Sequence, residues 1–441
     1  MKIHFISLGC PRNLVDTEIM LGRLLQAGCT ITSEESESDC VVVNTCSFIR
    51  PAVDESIDTI LEMAQWKKQA VGRKLVVVGC LPERYGANLA KALPEVDAFL
   101  GTGAFHLIID AVRGSLDGTC VLLPHPCNGS DLNENVPRLR TTSPHTAYLK
   151  IAEGCSGRCT YCIIPKLRGP LRSRPMEKVL SEATILAKTG VEELILVAQN
   201  TTAYGQDLDR GYGLEHLLTK LAEISGLAWV RVLYGHPDFI TDSLIETIGT
   251  HNNLCSYFDI PVQHISEPIL KNMGRRHNSA EILKLFERIR DKAPGAVLRT
   301  TLIVGFPGET EHDFECMLDF IEKVRFDHLG TFMYSNEEDI PSYNLRNHVA
   351  EQVKQERLDR LMTLQAALSR ENNQKYVGKT LQVVVERAAE TSQGQMIARA
   401  AFQAPDVDGV IRINQGGAEP GSFVKVRITE AHNYDLTGDT V

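Results

Sequence analysis

The chain has 441 residues, 43% hydrophobic and 23% charged, a composition ordinary for a soluble globular protein of roughly two or three domains. Its net charge of −10 argues against a broadly basic, phosphate-tracking surface but leaves room for a local nucleic-acid patch or a basic protein partner. No apolar run reaches the roughly 18 residues that span a bilayer, and the N-terminus lacks a signal peptide's apolar region and cleavage site. A cytoplasmic protein without a membrane partner is expected.

Short apolar runs and helical patterns alternate over the first hundred residues. Strands are predicted at 3–8, 40–45 and 74–79, with weaker candidates at 30–32 and 97–102. Helical stretches at 15–27 and 52–69 lie between them, a rhythm that predicts an open, mainly parallel α/β sheet over residues 1–116. A connection with Pro124, Pro126 and Pro137 follows at 117–140. From 141 to 372 six further strands are predicted, at 147–153, 193–200, 229–234, 257–264, 297–305 and 328–335. Helical patterns at 176–189, 279–292 and 311–324 separate several of them, and Thr310 with Asp313 forms a capping-box signature. Six βα units imply a partial (β/α)6 barrel with its active site at the carboxyl ends of the strands. A long helix is predicted at 350–374, then a small β-barrel over 374–441 from runs at 381–385, 396–401, 410–413 and 423–428.

Twelve cysteines in such a protein point to metal or catalytic sites rather than to a disulfide framework. Cys155, Cys159 and Cys162, spaced C-x3-C-x2-C directly after the first barrel strand, let one loop present three thiolates to an iron–sulfur cluster. A four-iron cluster needs four ligands, so one iron stays open for a small chelating group such as the amino and carboxylate groups of S-adenosylmethionine. A zinc site completed by a distant residue, or three packed cysteines, are the alternatives. Cys10, Cys46 and Cys80 lie far apart in sequence, yet each directly follows a predicted strand of the first sheet. The carboxyl ends of parallel strands converge on one crevice, so these three could hold a second cluster, with Gly9 and Gly79 letting the backbone approach closely. Otherwise they are small buried residues at strand ends. The other cysteines, 29, 40, 120, 127, 255 and 316, match no ligand pattern.

The C-x3-C-x2-C motif is that of the radical S-adenosylmethionine superfamily. The text around it, Glu153-Gly154 before, then Ile163-Ile164-Pro165, Arg168-Gly169 and Ser173-Arg174-Pro175, resembles the superfamily's methylthiotransferase branch. That resemblance implies that Tyr161 lies near the adenine of S-adenosylmethionine. It also implies an auxiliary 4Fe-4S cluster on Cys10, Cys46 and Cys80, since Asn44-Thr45-Cys46 and Val78-Gly79-Cys80 are similar to the family's motifs. Gly305-Phe306-Pro307-Gly308-Glu309-Thr310 joins the fifth barrel strand to a helix, where its backbone N–H groups could face a polar ligand or simply make a tight turn. The resemblance favours Gly305 as a border of the cofactor. Gln199 and Gln263 end the second and fourth strands and are expected to face the same site. His264 is either catalytic or a satisfied core histidine.

The family modifies either tRNA adenosines or one aspartate of a ribosomal protein, and the last barrel resembles its TRAM domain. Over 374–441, Lys and Arg number 7 and Asp and Glu number 8, a balance that suits a basic protein substrate better than RNA. Ala404-Pro405-Asp406-Val407-Asp408-Gly409 and Tyr434-Asp435-Leu436-Thr437-Gly438 resemble the RimO branch, which acts on ribosomal protein S-twelve. The resemblance implies two 4Fe-4S clusters, S-adenosylmethionine, an electron donor such as flavodoxin or ferredoxin, and a ribosomal protein met free or in the small subunit. One S-adenosylmethionine would methylate a sulfur at the auxiliary cluster. A second would yield the radical that takes hydrogen from the aspartate β-carbon, which then captures the methylated sulfur. The alternatives are a tRNA-adenosine methylthiotransferase, a non-catalytic iron–sulfur electron carrier, or a zinc-stabilised binding module.

Overall fold

In the computed structural model, residues 1–114, 120–126, 138–209, 211–389, 394–414 and 418–441 are described. The first sheet holds β1 (Lys2–Ser7), β2 (Thr30–Thr32), β3 (Cys40–Thr45), β4 (Lys74–Gly79), β5 (Ala98–Leu100) and β6 (Cys120–Leu122). All are parallel, in the order β2-β1-β3-β4-β5-β6. Helices α1 (Pro11–Gln26), α2 (Arg50–Lys68), α3 (Cys80–Ala92) and α4 (Ile108–Arg113) connect them. Both faces of β3 and β4 are covered, as the unbroken valine runs Val41–Val43 and Val76–Val78 demand. Residues 120–122, read in the sequence as connection, pair instead with β5 as the sheet's last strand. Most of the rest of that connection, Cys127 included, lies outside the described residues.

The central region carries six parallel strands, β7 (Thr146–Lys150), β10 (Glu193–Val197), β11 (Trp229–Val232), β12 (Tyr257–Asp259), β13 (Val297–Val304) and β14 (His328–Met333). They form sheets β7-β10-β11 and β12-β13-β14, joined by a parallel bridge between Val230 and Leu254. The expected partial barrel is present. The first strand is shorter than predicted because the chain leaves the sheet at Ile151 and pairs β8 (Ala152–Glu153) antiparallel with β9 (Arg172–Ser173). The fourth stops at Asp259: Pro261 has no N–H for a ladder, and Gln263 takes a left-handed φ of 71°. Helices α5 (Ile164–Arg168), α6 (Met176–Lys188), α7 (Leu214–Ala222), α8 (Asp242–Thr250), α9 (Glu267–Asn272), α10 (Ser279–Lys292), α11 (Glu311–Val324) and α12 (Glu351–Gln374) complete the region. The Thr310/Asp313 capping box is formed as expected.

Strand alternation sends Leu149, Leu194, Leu196 and Leu298 outward beneath the helices. Tyr148, Ile195, Val197, Tyr257 and Val297 point the other way, where Leu14, Val15 and Ile19 of α1 pack against them. The first domain thus closes the open barrel from one side. From another, Phe402, Ala404 and Phe423 of the last domain join the same cluster. That domain is a closed barrel of β15 (Thr380–Ala388), β16 (Met396–Ala400), β17 (Ile411–Ile413), β18 (Phe423–Ala431) and β19 (Leu436–Thr440).

Candidate active site

Cys10 is the N-cap residue of α1, with Pro11 as the first helical residue, and Cys80 opens α3. Cys46 follows the last residue of β3. Each thiol therefore sits at a strand's carboxyl end, two of them at a helix N-terminus where the backbone favours a thiolate. Gly9 and Gly79 have φ of 90° and 100°. A Cβ on Gly9 would lie 2.7 Å from the Cβ of Cys46, so only glycine lets this turn approach that cysteine. Asn13 donates from Nδ2 to the carbonyls of Leu8 (3.1 Å) and Thr45 (2.9 Å), while Asn44 donates to the Asn13 carbonyl (2.9 Å). Buried amides thus tie the strand ends together. Burial opposes the Cys10 thiolate, but Arg12 and Arg168 outweigh it and its pKa falls below the ordinary value. Burial and the neighbouring Cys80 push Cys46 up to about 12, and burial raises Cys80 in spite of Arg168.

The second trio lies on the loop after β8. Gly154 has φ 80°, and a Cβ there would stand 2.1 Å from the carbonyl oxygen of Pro170. Cys155 N–H donates to the Gly169 carbonyl (3.0 Å), and Cys162 N–H to that of Cys159 (3.1 Å). Gly157 N–H approaches Cys155 Sγ at 3.3 Å. Thr160 anchors the far side through its N–H to Met273 O (3.0 Å) and its hydroxyl to Asn272 O (2.7 Å). Burial raises the Cys155 thiol and pushes Cys162 up to about 12. Beside them, the Tyr161 hydroxyl accepts from Arg275 Nε (3.1 Å) and Nη2 (2.8 Å).

A buried charged network joins the two trios. Lys150 Nζ donates to Glu153 Oε2 at 2.7 Å and to Asp16 Oδ1. Arg168 Nη1 donates to Asp16 Oδ2 (2.7 Å) and reaches Glu153 Oε2 (3.4 Å). Arg168 Nη2 donates to Asn13 Oδ1 and lies 3.5 Å from Cys80 Sγ. All four charged side chains are buried. Cys80 also packs in one apolar cluster with Ile163 and Leu167, which follow Cys162. Lys150 carried a signal, a lysine within an apolar strand run. Asp16 and Arg168 carried none as partners, because 152 positions separate them.

Gln199 lies two residues beyond the end of β10 rather than in the strand, and its side chain serves the loop: Oε1 accepts from Gly154 N–H (2.8 Å) and Nε2 donates to Glu153 Oε1. Gln263 keeps the sheet edge, donating its N–H to Thr301 O (2.9 Å) and accepting from Ile303 N–H (2.7 Å). Gly305 lies in a tight turn, the second of the two arrangements the sequence left open for its N–H groups. Its N–H donates to Glu309 Oε2 (2.7 Å), and Phe306 N–H reaches the same oxygen (3.3 Å), so these donors are used within the turn. The place of a Gly305 Cβ is filled by Lys354 Cγ, 2.3 Å away. His264 is fully buried, with Nδ1 accepting from Ser266 N–H (3.0 Å) and Nε2 lying 3.5 Å from Glu309 Oε2.

All six cysteines are free thiols. Among the described residues, no three His, Cys, Asp or Glu side chains gather closely enough for a single metal ion. Iron–sulfur clusters are larger bodies with more widely spaced thiolate ligands, and soft thiolates at strand ends suit them. Among the described residues, no helix is long and apolar enough to cross a membrane.

Residues 2–101 match the uncharacterized protein family UPF0004, residues 149–321 the radical SAM superfamily, and residues 377–441 the TRAM domain. The chain is 48% identical to the ribosomal protein uS12 methylthiotransferase RimO of Geotalea uraniireducens, over 100% of this chain and 98% of the relative. It is 50% identical to that of Desulfosudis oleivorans over 100% of both. Among solved structures it is similar in fold to the radical S-adenosylmethionine methyltransferase TsrM from Kitasatospora setae. There the TM-score is 0.58 at 13% identity, over 90% of this chain and 80% of that one.

Proposed function

The chain belongs to the family of ribosomal protein uS12 methylthiotransferases, and from that membership we propose that it adds a methylthio group to the β-carbon of an aspartate in uS12. It is a radical S-adenosylmethionine transferase with two 4Fe-4S clusters. Cys155, Cys159 and Cys162 hold one, Cys10, Cys46 and Cys80 the other. When bound, the first supplies the electron that cleaves S-adenosylmethionine to a 5′-deoxyadenosyl radical, and the second holds the sulfur to be transferred. Tyr161 borders the nucleoside, its ring held by Arg275. Gln199 fixes the Glu153-Gly154 turn that aims Cys155, and α1 covers the open side of the barrel against water. An electron donor such as flavodoxin or ferredoxin and a cytoplasmic location complete the reading.

The observation that carries it is the junction of the two trios: Cys80 shares an apolar cluster with Ile163 and Leu167, and one guanidinium spans the rest of the gap. Methyl transfer to a sulfur at one cluster, followed by capture of that sulfur by a substrate radical made at the other, needs such neighbours. The C-terminal barrel supports a protein substrate. Over 374–441 its 7 Lys and Arg are outnumbered by 8 Asp and Glu, and Arg399 is spent on buried ion pairs with Glu193 and Glu386, a balance that suits a basic protein better than RNA. Reconstituted enzyme, S-adenosylmethionine and a reductant are incubated with uS12, with small ribosomal subunits and with tRNA, and products are read by mass spectrometry. Methylthio-aspartate in uS12 is the expected product. Modified tRNA with unmodified uS12 overturns the assignment, as does a reduced protein that forms no 5′-deoxyadenosine.

A further inference from the structure

Arg168 ends α5, the short helix that starts just after Cys162, yet its guanidinium reaches the first domain. Its side chain is 3% exposed, so each donor must find a partner inside the protein. Nη1 has two, the carboxylates of Asp16 and Glu153. Nη2 also has two, Asn13 Oδ1 and the Cys80 sulfur at 3.5 Å. Asp16 and Glu153 are in turn shared with Lys150, so two cations and two anions balance around the fork. The fork is thus anchored on one nitrogen and turned to sulfur on the other. Lysine, a point charge without a fork, cannot hold that geometry.

Resting on the assignment of Cys80 as a cluster ligand, we propose that Arg168 is a positioning residue for the cluster held by Cys10, Cys46 and Cys80. It donates a hydrogen bond to the Cys80 thiolate and favours the cluster's reduced form. A donor and a positive charge beside a coordinating sulfur stabilise an added electron, the means by which surrounding groups set cluster potentials. Because α5 begins beside Cys162, the same residue fixes the auxiliary site relative to the radical-generating loop.

The test is a redox titration of the reconstituted full-length enzyme followed by electron paramagnetic resonance, reading both clusters separately. In Arg168→Gln the midpoint potential of the N-terminal cluster is expected to move to a more negative value, while that of the Cys155 cluster stays put. Arg168→Lys, which keeps the charge but loses the fork, is expected to show a smaller shift in the same sense, and serves if the glutamine variant folds poorly. Asp16→Asn breaks the same ion pair from the other side and removes a negative charge, so its potential is expected to stay or to rise. A purely structural role, in which loosening admits water, would move Asp16→Asn and Arg168→Gln in the same direction, and that result overturns the proposal. So does an unchanged potential in Arg168→Gln. Cys80→Ala checks the premise by iron and sulfide content. Loss of half the iron upholds the ligand assignment whatever Arg168 does, whereas full retention removes the ligand and the proposal together.

Discussion

Arg399, from the C-terminal barrel, places Nη1 3.1 Å from Oε1 of Glu193, the first residue of the second strand of the central barrel, with both side chains buried. Arg231 reaches the same carboxylate through Nε at 3.0 Å and donates from Nη1 to Ala401 O at 2.8 Å. The last domain is therefore keyed into the base of the central barrel. Truncating one partner of a buried pair strands the rest, so Arg399→Ala is expected to cost about 3–5 kcal/mol, read as a fall in the denaturation midpoint. A change within about 0.5 kcal/mol would show that the docking does not depend on this pair.

The same carboxylate sets a pH dependence. Burial opposes the Glu193 charge, but Arg399 and Arg231 outweigh it and hold its pKa down at about 2. A depressed acid stabilises the fold fully above its unfolded value near 4.5 and loses that contribution as pH falls towards 2. The stability gap between the native protein and Glu193→Gln is expected to be about 3 kcal/mol at pH 7 and to close as the pH drops below about 4.5. Urea unfolding across that range measures it; a gap that is constant with pH refutes the charge argument.

What the sequence made legible was what periodicity and local spacing encode. The fully buried runs of β3 and β4 read directly as parallel strands, and the capping box at Thr310 fixed the start of α11. Misreadings came where chain geometry overrides apolar content. The ladder of β8 and β9 has only two residues per strand, and β12 ends ahead of Pro261. β19, Leu-Thr-Gly-Asp-Thr, carries almost no apolar alternation and is held by its neighbours β17 and β18. Each cysteine trio was visible from its strand-end context. The Asp16–Lys150–Glu153–Arg168 network was not, because it joins segments that only tertiary packing brings together.

Two glycines separate the two sites experimentally. Gly9→Ala would force a Cβ to within 2.7 Å of Cys46 at a φ of 90°. Gly154→Ala would meet the Pro170 carbonyl at 2.1 Å, at a φ of 80°. Backbone conformation alone costs about 1–3 kcal/mol for a non-glycine residue, and each clash adds to it. Gly9→Ala is expected to lose the N-terminal cluster while still cleaving S-adenosylmethionine. Gly154→Ala is expected to lose that cleavage while keeping the N-terminal cluster. Iron content and 5′-deoxyadenosine formation read the two outcomes, and the reverse pattern would mean that the sites are wrongly divided.

Gln199 distinguishes a cofactor contact from a loop support. Its strand-end position favoured the former, but both ends of its amide are engaged, by Gly154 N–H at 2.8 Å and by the Glu153 carboxylate. Gln199→Ala leaves a backbone donor and a buried carboxylate short of a partner, at a cost of about 1–3 kcal/mol. The loop bearing Cys155 then loses its fixed orientation relative to bound S-adenosylmethionine. Small displacements of reacting groups cost roughly a hundredfold in rate, so kcat for 5′-deoxyadenosine formation is expected to fall by about 10- to 100-fold. KM for S-adenosylmethionine should change little, because Gln199 acts through Cys155 and not on the ligand. Steady-state kinetics with a chemical reductant separates the two parameters. A raised KM with an unchanged kcat would instead place the Gln199 amide on the cofactor itself.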